Sequence, residues 1–107
     1  MEESEQKIQE MQILEQSLQN ILMQKQVFQM ELSESRSALK EIQNAGDEVF
    51  KIVGQLMIKT EKSMLKDELS NKEKLLGVRL KTLTTQEENL VKQLEKFREE
   101  ILKSQKK

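Results

Sequence analysis

The chain has 107 residues, a formal net charge of −1, 35% charged residues and 3% aromatics. Phe28, Phe50 and Phe97 are its only aromatic side chains, too few for an ordinary globular core, and the length supports one domain at most. With no Cys and no His, the composition excludes a disulfide framework, thiolate chemistry, His-ligated zinc and Ser-His catalysis.

Abundant Glu, Lys, Gln and Leu at helical spacing points to a coiled coil. Disorder is the rival for so charged a chain, but near-neutral net charge and regularly spaced apolar residues argue against it. The opening "MEESEQK" is acidic and polar, unlike a signal peptide. No apolar run approaches the roughly 20 residues that span a bilayer. The expectation is a soluble, cytoplasmic protein without a membrane partner. Lys and Arg are interleaved with Glu, and the local excess "KSQKK" reads as a solvated helix end. Binding several phosphates needs a concentrated basic stripe, so no nucleic-acid partner is expected.

In chain order, the first element is a long helix over about residues 5–44. Heptad a/d steps fall on Met11, Leu14, Leu18, Ile21, Lys25, Phe28, Leu32, Ser35, Leu39 and Ile42, with only Lys25 and Ser35 breaking the apolar stripe. Such a stripe is the seam of a coiled coil. The chain has no Pro, and no Gly before Gly46, so nothing interrupts this arm. Ala45-Gly46-Asp47 ends it, with Gly46 as a candidate for the left-handed conformation that helix C-termini favour.

The middle piece, residues 46–61, is "GDEVFKIVGQLMIKTE". Two β-prone runs, near 48–53 and 56–61, flank Gly54-Gln55. Gly at the first central position suits a type II′ hairpin turn. That turn pairs Val53 with Leu56, Lys51 with Ile58 and Val49 with Thr60 on one face. Ile52 with Met57, Phe50 with Lys59 and Glu48 with Glu61 make the other. Both faces are apolar near the turn, and a lone two-stranded hairpin is marginal in water. Val49, Phe50, Ile52, Val53, Gly54, Leu56, Met57 and Ile58 therefore read as an assembly element, pooled between subunits into a closed sheet or barrel that satisfies edges and buries faces.

The second arm, about residues 63–104, repeats Leu69, Leu76, Leu83, Leu90 and Phe97 every seven positions. Leu80, Leu94 and Ile101 complete its seam, and Glu73 and Glu87 are the polar exceptions. "SNKE" at Ser70–Glu73 has the form of a capping box, so the helix starts there or near Ser63. Gly77 lies inside this arm as a soft spot or a bend. Heptad leucines invite a DNA-binding zipper, but that requires a basic region ahead of them. The preceding "EVFKIVGQLMIKTEKSMLKDE" is apolar and mixed in charge. A hairpin between two arms pairs them antiparallel and brings the termini together, with Glu2, Glu3 and Glu5 near Lys103, Lys106 and Lys107.

Helix, β-hairpin and helix over nearly the whole chain resembles the β-class subunit of prefoldin. The resemblance is carried by "MQKQVFQMELSESRSALKEI" (23–42) and by "EVFKIVGQLMIK" (48–59). The latter looks like the family's aromatic-Lys-hydrophobic-x-Gly hairpin, with Phe50 as the aromatic and Gly54 at the turn. The fold class expected is mostly α: an antiparallel two-helix coiled coil joined by a β-hairpin that assembles into a multi-subunit β-barrel. Residues 1–107 are expected to be one prefoldin-like domain, divided into helix (1–45), hairpin (46–61) and helix (62–107).

The resemblance implies an ATP-independent chaperone without cofactor or enzymatic activity. It further implies a hetero-hexamer of two α-class and four β-class subunits, so that an α-class prefoldin subunit and other copies of this chain are partners. The coiled-coil tips would capture unfolded client proteins and deliver them to a group II chaperonin. Candidate client contacts are Ile8, Met11, Ile13, Leu14, Phe97, Ile101 and Leu102, since seam residues at helix ends have fewer neighbours and methionine adapts to varied surfaces. Met23 and Met30 lie outside the seam. The alternative is a scaffolding coiled coil that transfers nothing; an enzyme is a distant third.

Overall fold

The two arms and the hairpin form in the predicted order. In the computed structural model, which describes residues 2–105, α1 spans Glu2–Asn44, β1 Glu48–Val53, β2 Leu56–Glu61 and α2 Lys62–Gln105. Both helices are longer than about 40 residues because nothing in them breaks the hydrogen-bond ladder; neither holds Pro, and their seams supply apolar side chains every third or fourth position. Glu2, Glu3 and Glu5 lie in the first turn of α1 and Lys103 in the last turn of α2, each sign favourable for its helix dipole.

The chain forms two compact units: residues 1–26 with 81–107, and residues 27–80. In the first, Lys7 pairs with Glu100 at 3.4 Å and Lys25 with Glu87 at 2.6 Å. Rising numbers on α1 meet falling numbers on α2, so the segments are antiparallel. Leu83 and Leu94 are buried; Met11, Leu14, Leu18, Ile21, Lys25, Leu90, Phe97 and Ile101 are half-buried. Lys106 and Lys107, expected beside the acidic N-terminus, lie outside the described residues.

In the second unit, Arg36 meets Glu73 at 3.4 Å, and the Arg79 guanidinium lies 5.7 Å from the centre of the Phe28 ring, within cation–π range. The segments are again antiparallel. Leu76 is the most covered apolar side chain, at 2% exposure, and Ser35, Ile42 and Val49 are also buried. The heptad reading of the seam therefore holds in each unit: every a/d position named above is buried or half-buried.

β1 and β2 pair antiparallel in the anticipated register, from Glu48 with Glu61 to Val53 with Leu56. Gly54 has φ +62°, and no described non-glycine residue has a positive φ, which leaves Gln55 on the negative side. One positive φ, at the first central position, is the type II′ pattern.

One expectation is corrected. Gly46 does not adopt the left-handed conformation; Gly54 alone among the described glycines does. The end of α1 is closed otherwise. The Ala45 amide donates to the Ile42 carbonyl at 3.1 Å, tightening the last turn, and the Lys62 ammonium donates to the Ala45 carbonyl at 2.8 Å. Of the two starts left open for α2, the structure takes the one near Ser63, and the helix runs unbroken from Lys62 through Ser70–Glu73. Glu73 turns instead to Arg36 on the other arm.

Candidate functional site

Two apolar surfaces stay open. The first is the hairpin. Its two faces follow from strand alternation. On one face Val49 is buried and lines a recess shared with Ala38, Ile42, Ala45, Leu65 and Leu69. Lys51, two positions on, is half-buried and ion-paired with Glu68. Toward the turn, Val53, Leu56 and Ile58 on the same face are exposed. The helices therefore cover only the root of this face. The opposite face is left mostly open: Phe50 is 52%, Ile52 71% and Met57 69% exposed. Glu48 and Lys59 pair across it at 2.9 Å. Of the eight hairpin positions singled out from sequence, Val49 thus serves this chain's own core, Gly54 makes the turn, and the other side chains remain free.

The second surface lies in the first unit, between residues 10–14 of α1 and 93–100 of α2. Ile13, Leu14 and Phe97 line one open recess of about 470 Å³, with Glu10, Gln93, Lys96 and Glu100 around it. Ile13 is 66% exposed, because it sits one position off the seam; Leu14 and Phe97 are half-buried seam residues. Ile8 and Leu102 are exposed nearby in sequence, and Met11 and Ile101 are half-buried. The structure thus gathers three of the seven predicted contacts into one recess and leaves the other four outside its lining. Sequence reasoning missed the polar rim. Its signal was available: Glu10 is four residues before Leu14, and Gln93 and Glu100 are four before and three after Phe97, the steps that share a helix face. An apolar floor with a mixed-charge rim offers dispersion and desolvation to a varied side chain.

Elsewhere on α1, Met23, Val27 and Met30 are each exposed, off the seam. No described helix is long and apolar enough to cross a membrane.

Comparison with known proteins agrees on one family. A family model described as "Prefoldin subunit" matches residues 5–107. The prefoldin subunit beta of Pyrobaculum aerophilum is 40% identical over 88 residues, covering 80% of this chain and 70% of its own length. That of Thermococcus onnurineus is 39% identical over 89 residues, covering 81% and 77%. The crystal structure of the prefoldin beta subunit from Thermococcus strain KS-1 superposes with a TM-score of 0.86 at 35% identity, covering 95% of this chain and 91% of that one.

Proposed function

Since the chain belongs to the prefoldin family, in its β-subunit class, we propose that it is a subunit of an ATP-independent chaperone that holds unfolded proteins. Residues 1–107 act as one domain with two tasks. The hairpin joins subunits. Its open edges and bare apolar side chains are satisfied together when four copies and two α-class subunits pool them into a β-barrel. The arms do the holding, in the cytoplasm, and pass the client to a group II chaperonin. The chain binds and releases; it does not catalyse.

The observation that supports client holding is the recess at Ile13, Leu14 and Phe97, next to exposed Ile8 and Leu102. Clients differ in sequence, so contacts should be apolar and adaptable, with Met11 as a flexible neighbour. One fully buried apolar side chain contributes about 1.5–3 kcal/mol, so a single arm binds weakly. Several arms on one client gain from effective concentration.

Light scattering of a denatured client diluted with the assembled complex tests this. Deleting residues 1–13 and 97–107 should abolish protection while the complex keeps its number of subunits. The milder pair Ile13→Ser with Leu102→Ser should weaken protection without loss of helix, because both side chains are exposed. Full protection by the truncated complex with its subunit count unchanged would move capture elsewhere, first to Met23 and Met30. No protection by the intact complex would favour the scaffolding reading.

A further inference from the structure

The seam of an antiparallel helical pair works best when it is apolar, yet each arm breaks that rule. Lys25 stands in the α1 seam and Glu87 in the α2 seam. They meet: the Lys25 ammonium donates to Glu87 Oε2 at 2.6 Å, with side chains only 19% and 27% exposed. Replacing such a pair with leucines is often neutral or stabilising, so stability does not account for it. Polar residues in a seam do have one well-attested effect, which is to specify register and partner.

The charges are also sorted by arm. In Lys7–Glu100, Lys25–Glu87 and Arg36–Glu73 the cation is always on α1 and the carboxylate on α2. The α2 seam needs such a restraint. Leu69, Leu76, Leu83 and Leu90 recur every seven residues, the pattern that pairs a helix with a copy of itself. Two α2 helices side by side in parallel would set Glu87 against Glu87 and Glu73 against Glu73. Paired antiparallel about Leu80, they would set Glu73 against Glu87. Two α1 helices in parallel would set Lys25 against Lys25. A slip of one heptad within the chain, about 10.5 Å, would face Lys25 with Leu80 or Leu94 and Glu87 with Leu18 or Leu32. Each of these arrangements strands a half-buried charge.

We propose that Lys25 and Glu87 are positioning residues that choose the partner of each arm: they hold α1 to α2 in one register and bar like arms of two copies from zipping together. The hairpin tether limits slippage within one chain but places no limit on association between copies. That hazard grows where several copies are held close. The pair thereby keeps Leu14 and Phe97 facing one recess.

The test is a distance measurement on the full chain, independent of any client. Spin labels go on Gln19→Cys and Lys92→Cys, both exposed, and labelled chains are diluted into unlabelled ones. The parent and Lys25→Arg, which keeps the cation, should each show one short distance. Lys25→Leu with Glu87→Leu should stay as helical by circular dichroism and lose the short distance in a substantial share of chains. Singly labelled Lys92→Cys chains carrying both leucines should gain a short distance between copies that the parent lacks. A single unchanged distance in the leucine variant overturns the proposal. So does the same loss in Lys25→Arg. Loss of helix in the leucine variant also overturns it, since the pair would then be a stabilising element and not a selector.

Discussion

An aspartate at position 52 and one at position 49 should fail in opposite ways, though both sit in β1. Ile52 is 71% exposed and Val49 is 8% exposed. Ile52→Asp therefore removes nothing the isolated chain buries. Surface changes of this kind lie within about ±0.5 kcal/mol, so its helices should melt where the parent's do. In the proposed shared sheet the same side chain would be covered. Covering the exposed part of Ile52 contributes roughly 1–2 kcal/mol. An unpaired carboxylate there costs about 3–5 kcal/mol more. The sum, roughly 4–7 kcal/mol, weakens association by about 10³–10⁵, at tenfold per 1.4 kcal/mol. Val49→Asp instead places the carboxylate in the recess with Ile42 and Leu65. It should remove several kcal/mol from a chain whose total stability is of order 5–15 kcal/mol. Native mass spectrometry reads assembly, and circular dichroism with thermal melting reads the arms. Full assembly mass for Ile52→Asp, or a lowered melting temperature equal to that of Val49→Asp, would refute the division between a covered root and a free face.

Two further changes probe the arms by thermal or urea unfolding. Leu76→Ala should cost about 2–5 kcal/mol, because Leu76 is the most covered apolar side chain, whereas neighbouring Leu75→Ala, half exposed, should cost under about 1 kcal/mol. Gly77→Ala should raise stability by about 1 kcal/mol: the glycine lies inside α2, and a Cβ there meets no heavy atom within 4 Å. A loss on Gly77→Ala would mean that the helix needs the glycine's freedom at this point.

The local features of this protein were legible in its sequence because they depend on neighbours along the chain. Heptad spacing needs only the helical repeat, so the a/d residues from Met11 to Ile42 and from Leu69 to Ile101 are the covered ones. Gly54 sets the turn, and strand alternation then dictates every pair from Glu48–Glu61 to Val53–Leu56. The tertiary structure decided what depends on residues distant in the chain. Which hairpin face is covered was open, since both are apolar; the helix ends settle it by burying Val49 and leaving Ile52 bare. Gly46 and the Ser70–Glu73 box carried plausible local signals that were overruled, the first by the Lys62 ammonium on the Ala45 carbonyl, the second by a helix already under way from Lys62. Lys25 looked like a flaw in a seam until Glu87, 62 residues on, stood opposite it. A side chain's preference for helix or turn is a property of its own few bonds, whereas its partner is whichever group the folded chain brings within about 3 Å.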